Sequence, residues 1–435
     1  MTVVSHSAVK DRPTKSDRSR IERAIADGKS LFTLQAPSSA LCALALFVML
    51  NLLFFSCSLL NFDPYKFPYR GWSWWIVNDL RSHSQEHHSI ALLGSSLIVS
   101  AVAGCDANYL NRQLEMTEYH KAAYLDHVLA DGDSTTFNTI DLAIPGQIPS
   151  DAYMMLRTMT NIATRPEVVL YGVAPRDFLD NTLHSPLDTE PCHYLSRLVD
   201  YKEIEPGLYN DPLSKFNRFL EQNVYFYHKS TDLQMRAIGV MNRAIDFAVP
   251  KPRGAKQFTY WDRKALVPSY HAGEMYPSAM VASPVDRKYC ATHIVNNQVD
   301  YIDRYKHARP DVFATQLYFL QQLSRFCHRN GTELILVNMP LTLKNVQILT
   351  MPRYDAYRKQ MQTFANKNNI VMLDLADFNK YPPEDFQDTV HLNAFGAKKF
   401  FDSLAAALHA NPTTAGYIRR AAAASSNAHS TLPSR

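Results

Sequence analysis

The sequence predicts an α/β fold with a parallel sheet, placed behind one membrane-spanning helix. Three observations carry this. Residues 41–60 (LCALALFVMLNLLFFSCSLL) are an apolar run with no charged side chain. Beyond it, short apolar runs alternate with segments of helical period, the pattern of strands joined by crossover helices. Several of those runs stop at glycine, serine or proline, at the strand ends where an open parallel sheet gathers its functional loops.

The apolar run has the length of one helix across a hydrocarbon core. Lys10, Arg12, Lys15, Arg18, Arg20, Arg23 and Lys29 precede it. The positive-inside bias therefore puts the N-terminus in the cytoplasm and the chain beyond residue 62 on the far side, in the periplasm or at the cell surface. A long leader and the lack of a small-x-small site after the run favour a retained anchor over a cleaved signal peptide. The expected organisation is a cytoplasmic tail (1–37), a transmembrane helix (38–62), a membrane-proximal linker (63–88), an extracytoplasmic domain (89–411) and a disordered Ala/Ser-rich tail (412–435). Tyr65, Phe67, Tyr69, Trp72, Trp74 and Trp75 in the linker read as an interfacial aromatic belt.

The chain has 435 residues and net charge +4; residues 1–29 hold seven Lys/Arg against four Asp/Glu, and 30–62 hold no charge. That leaves about +1 for the body, which lacks the basic surface a nucleic-acid binder needs to neutralise phosphates. Cys192 and Cys290 fall in one insertion and are a candidate disulfide outside the cytoplasm, with four buried thiols in the body as the alternative. No Cys-x-x-Cys occurs, the one His-x-x-x-His spacing (His83 and His87) is not read as a metal site, and no cofactor is implied. His83, His87 and His88 read as a solvated cluster.

Ile90–Leu93 is the first expected strand, with a helix from about Ser96. Phe137–Ala143 is the second, ending at Ile144-Pro145-Gly146-Gln147, with a helix over Asp151–Ala163. Val168–Tyr171 is the third and runs into Gly172-Val-Ala-Pro175-Arg176-Asp177. Residues 180–305 break the rhythm and read as a long insertion. Order resumes with a helix over Val312–Asn330, strand Glu333–Asn338, a helix over Tyr354–Lys367, strand Ile370–Leu375 and a last helix over Phe395–Leu408.

Two stretches carry chemistry. Ile90-Ala-Leu-Leu-Gly94-Ser95-Ser96 is a buried strand ending where a hydroxyl can be exposed at a helix start. Asp388-Thr-Val-His391-Leu-Asn393-Ala-Phe-Gly396 places a carboxylate three residues before an imidazole on a loop leading into a helix. Together they supply a Ser/His/Asp set, which is defined by geometry and role rather than by order in the chain. Each residue also has a plainer use. Ser95, Ser96 and Asp388 are all helix-capping types, Gly146 suits a tight turn, and Asn393 and Gly396 read as structural.

Gly94-Ser95-Ser96, Gly146 after the second strand and Asp388-x-x-His391 near the end resemble the SGNH (GDSL-type) hydrolase superfamily. The anchored arrangement is most similar to its extracytoplasmic branch, with the D-alanine transfer protein of teichoic acid synthesis and the alginate O-acetylation proteins. The resemblance covers about 88–178 and 305–408. It implies a three-layer flavodoxin-like fold, with Ser96 as nucleophile, His391 as general base and Asp388 as its orienting carboxylate. It also implies an oxyanion hole from the Ser96 and Gly146 backbone N–H groups, a glycopolymer substrate and a multi-pass membrane acyltransferase as partner. Family members carry an Asn in a third block, Gly-x-Asn-Asp; aligning Gly172 puts Ala174 there. Arg176 then becomes a substitute donor or an anion-binding residue, with a structural ion pair to Asp177 as the alternative. The functions implied are an O-acyltransferase or esterase acting on cell-envelope polysaccharide, or a degenerate relative that binds polysaccharide or scaffolds an export complex.

Overall fold

The computed structural model describes residues 38–57, 63–66, 71–130, 136–230, part of 232–248 and 281–431. It divides into two compact units, one comprising residues 1–61 with 220–230 and the other 62–219 with 231–435. The expected cytoplasmic tail lies outside the described residues. In the first unit, helix α1 (Ser38–Cys57) contains an apolar window, Ser39–Ser56, long enough to cross a membrane.

The second unit is α/β. Its sheet has five parallel strands: β1 (Ile90–Gly94), β2 (Thr139–Asp141), β3 (Val168–Val173), β4 (Glu333–Asn338) and β5 (Val371–Asp374), in the order β2-β1-β3-β4-β5. Every residue of β1 and β3 is buried, as a sheet covered on both faces requires. This explains why these runs are continuously apolar rather than alternating. The second strand is shorter than expected, Thr139–Asp141, although the Leu142 and Ile144 N–H groups still donate to the Leu92 and Gly94 carbonyls of β1 at 2.9 and 3.0 Å. In one group of helices, α2 (Trp72–Ser82) and α6 (Pro310–Arg329) both pack on α5 (Pro149–Ile162). The other contains α3 (Ser96–Tyr109), α4 (Ala123–Ala130), α8 (Ala394–Ala410) and α9 (Pro412–Thr431). Helix α7 (Met351–Lys367) joins β4 to β5. The chain runs outward from β1 to β2 and then returns across it to β3, so the strand order reverses at β1. That is where open α/β sheets hold their ligands, at the carboxyl ends of the strands.

Four expectations are corrected. The tail from 412 is not disordered through Thr431: it is helix α9, with Ile418 and Ala421 buried and the Ser425 hydroxyl 2.8 Å from that of Ser89. Alanine is the best helix former, and small residues let this helix lie close against the fold. The tryptophan segment is not a surface belt. It is helix α2, with Trp74, Ile76, Val77 and Leu80 buried on one side at helical spacing. Cys192 and Cys290 carry thiols rather than a shared disulfide, buried in two separate short helices, Glu190–Leu195 and Arg287–Thr292; buried thiols pack as small hydrophobes. Nor are the three histidines one solvated cluster. His87 pairs with Glu167 at 3.0 Å, and His88 is buried, which lowers its pKa.

Candidate active site

The hydroxyl is positioned by glycine. Gly94 ends β1 opposite Gly172 of β3, and Ile98 from the first turn of α3 lies over both. A Cβ on either glycine would stand 2.6 Å from an Ile98 side-chain carbon, so only a glycine pair lets the helix start directly on the strand ends. Gly94 adopts φ +152°, and Ser96 becomes the first residue of α3. Its backbone N–H has no partner one turn back, as for every residue at a helix start. Ser95 makes no side-chain cap; its side chain instead favours the ionised form of Asp177. The capping alternative therefore accounts for neither serine.

The imidazole is positioned by its loop. Asn393 caps α8, its Oδ1 accepting from the Phe395 and Gly396 N–H groups at 3.0 and 3.1 Å. Gly396 admits the backbone of Asp385, whose carbonyl oxygen would lie 2.1 Å from any Cβ there. The loop is also held from two other directions. Thr342, after β4, donates to the Thr389 carbonyl at 2.6 Å, and Asn297 accepts from the Thr389 N–H and hydroxyl at 3.1 and 2.5 Å. Asp388 Oδ1 accepts the Val390 and His391 N–H groups, both at 2.8 Å.

These supports bring the three side chains together across 295 residues of sequence. His391 Nε2 lies 2.7 Å from Ser96 Oγ, and His391 Nδ1 lies 2.6 Å from Asp388 Oδ2. The His391 and Asp388 side chains are 17% and 13% exposed, so solvent reaches the pair without dominating it. Burial pushes the Asp388 carboxyl up, but the His391 hydrogen bond and charge and the two backbone N–H groups outweigh it and hold the pKa below the ordinary value. Asp388 therefore stays ionised and can fix the ring with its proton on Nδ1, leaving Nε2 to accept.

Ser96 and His391 open into a cleft of about 490 Å³, also lined by Gly146, Ala174, Arg176 and Leu341. Gly146 adopts φ +82°. Its turn is tied to β1 by the wholly buried Gln147, which accepts the Gly94 N–H at 2.8 Å and donates to the Leu142 carbonyl at 3.0 Å. The Arg176 guanidinium stands beside Gly146, with Nη2 3.4 Å from where a Cβ would project. Its main ion partner is Asp180, 3.1 Å from Nε, whereas Asp177 is 3.7 Å from Nη1. The alternative pairing expected with Asp177 is thus the weaker of the two. Arg304, from the insertion, also binds Asp180. Ala174 spends its N–H on Asp177 Oδ2 at 3.0 Å, so this position offers the cleft neither an amide side chain nor a backbone donor.

The insertion forms a wall of the cleft through Asn297, Asp300, Tyr301, Arg304 and Tyr305. None of these stood out in the sequence; only irregular composition marked the region. On the other wall Trp72, from the supposed belt, stands near Glu190. The Glu190 carboxylate accepts from the Ser73 hydroxyl at 2.8 Å. Burial raises the pKa of Asp151, Asp177 and Glu190 to about 7 each. Among the described residues no group of His, Cys, Asp and Glu could hold a metal ion. In comparison with known proteins, no family model matches the chain and no curated protein matches it.

Proposed function

We propose that this chain is a membrane-anchored serine acyltransferase or esterase of the SGNH type, with a flavodoxin-like core, acting outside the cytoplasm on a cell-envelope polysaccharide. The observation that carries this is the unbroken hydrogen-bonded line Ser96 Oγ–His391–Asp388 at 2.7 and 2.6 Å, opening into a cleft. In the first half-reaction Ser96 Oγ attacks the acyl carbonyl carbon while its proton passes to His391 Nε2. The bond from carbonyl carbon to donor oxygen breaks, and that oxygen takes the proton. In the second, His391 removes the proton of a sugar hydroxyl or water, which attacks the acyl-serine and returns the proton to Ser96. The Ser96 and Gly146 N–H groups and the Arg176 guanidinium are the donors available to the oxyanion, where preorganised charge contributes most.

Acetyl is the simplest group for such a shuttle, and a multi-pass membrane acyltransferase is the partner that would load it. The anchor keeps the site beside that partner. A second reading, a degenerate relative that binds polysaccharide or scaffolds an export complex, is favoured by Ala174 standing where the family carries its amide donor. The test is hydrolysis of a chromogenic acyl ester by the full-length protein, with Ser96→Ala and His391→Ala both expected to abolish it. Rates like wild type in both variants overturn the proposal. Failure of Ser96 to label with a fluorophosphonate favours the scaffold.

A further inference from the structure

The first unit places a second segment against the spanning helix. On α1, Phe47, Asn51, Phe54 and Phe55 share one face, at spacings of four, three and one. The short helix Tyr225–His228 packs there. The Phe226 ring lies 5.0 Å from that of Phe54 and 6.3 Å from that of Phe47, and the Tyr225 ring lies 6.0 Å from Phe54 and 6.4 Å from Phe55. Phe47 stands on the order of 15 Å before the helix end at Cys57, given the rise per residue. A ring touching it is inside the hydrocarbon region when α1 spans a bilayer.

Asn51 explains how this is tolerated. An amide in lipid is costly unless hydrogen-bonded, and so is any unpaired backbone N–H. Asn51 is buried and donates from Nδ2 to the Phe47 carbonyl at 2.9 Å, while Oδ1 accepts the Phe226 N–H at 3.2 Å. The next turn closes itself, His228 N–H to the Val224 carbonyl and Lys229 N–H to the Tyr225 carbonyl, both at 2.9 Å. The helix leading into this segment, Pro212–Asn223, is amphipathic, and its Leu213 and Phe216 are 68% and 56% exposed.

We propose that residues 212–228 are a second membrane element: an amphipathic helix lying in the bilayer interface, followed by a turn that dips beside α1. Lipid acyl chains are the partner of Leu213 and Phe216. An apolar helical stripe beside an anchored segment is how interfacial helices bind. The proposal rests on α1 crossing the membrane.

The test reconstitutes the full-length protein in phosphatidylcholine vesicles containing a phospholipid with a photoactivated carbene precursor on its acyl chain. Labelled peptides are mapped by mass spectrometry. Labelling is expected in α1 and at Leu213, Phe216 and Tyr225–Phe226. In Asn51→Leu, α1 should label as before while Tyr225–Phe226 labelling falls several-fold, because the Phe226 N–H loses its acceptor. Labelled α1 with unlabelled 212–228 overturns this proposal alone. Unlabelled α1 overturns the anchor, and this proposal with it.

Discussion

Replacing Asp388 by Asn tests the site at the atom on which it depends. Oδ1 of Asp388 already accepts two backbone N–H groups, from Val390 and His391, and Oδ2 faces the imidazole at 2.6 Å. An asparagine must keep its oxygen on the two N–H groups, since the flipped amide would set NH₂ against both donors and forfeit two hydrogen bonds at roughly 1 kcal/mol each. The amide NH₂ therefore points at Nδ1, which must become the acceptor. The ring proton moves to Nε2, where it faces Ser96 Oγ and cannot take the serine proton. A tautomer error of this kind costs about 10⁴ in kcat in serine proteases, or roughly 5.5 kcal/mol of transition-state stabilisation. The expected outcome for Asp388→Asn is a 10³–10⁴-fold loss of ester hydrolysis, about 4–5.5 kcal/mol, with a melting temperature near that of wild type because both backbone bonds survive. Asp388→Ala leaves those two N–H groups without an acceptor, and should lose activity and a further ~1–3 kcal/mol of stability. Asp388→Asn activity within tenfold of wild type would refute the orienting role, even if Ser96→Ala were inactive.

Other predictions address the supports. Arg176→Lys keeps the charge but not the fork; if the guanidinium meets the oxyanion, kcat should fall about 10–100-fold with KM little changed, and Arg176→Ala about 10²–10³-fold. A rise in KM alone would make Arg176 a binding residue. Deleting residues 412–435 uncovers the surface beneath buried Ile418 and Ala421 and should cost ~2–4 kcal/mol in urea unfolding; an unchanged midpoint would mean α9 is dispensable. Asp151, Asp177 and Glu190 titrate near 7 when folded, above the ordinary carboxyl values near 4. Their protonated forms favour the native state, so that contribution is complete below pH ~4 and is lost as pH rises through 7. Asp388, held low, acts in the opposite sense, and its contribution is lost in acid. Stability followed by urea denaturation should thus decline from pH 5 to 8, with a smaller decline in Asp177→Asn; a steeper decline in that variant would contradict the assignment.

How far the sequence reaches depends on whether a feature is local. The central strands β1 and β3 were legible because strands buried on both faces must be apolar throughout, and Gly94 and Gly172 stand at or near their ends. Ser96, His391 and Asp388 were legible because their spacing reports a turn before a helix. What failed was long-range. Aromatic residues after an apolar run suit a membrane surface equally well as a buried helix, and only packing against the fold separates the two for Trp74. Alanine-rich composition is compatible with disorder or with a docked helix, and the buried face of α9 decides it. Asn297, Thr342 and Gln147 hold the site through one or two hydrogen bonds each to Thr389, Gly94 and Leu142, for which sequence has no periodic sign.

By itself, then, the sequence determined the apolar helix long enough to cross a membrane, the alternation that builds a parallel sheet and the candidate Ser96, His391 and Asp388 set, because each is written in local sequence. Only the tertiary structure decided that Ser96 and His391 stand 2.7 Å apart, that the insertion walls the cleft and that Arg176 leans on Asp180. Those outcomes depend on how segments hundreds of residues apart share space, and no local pattern encodes that.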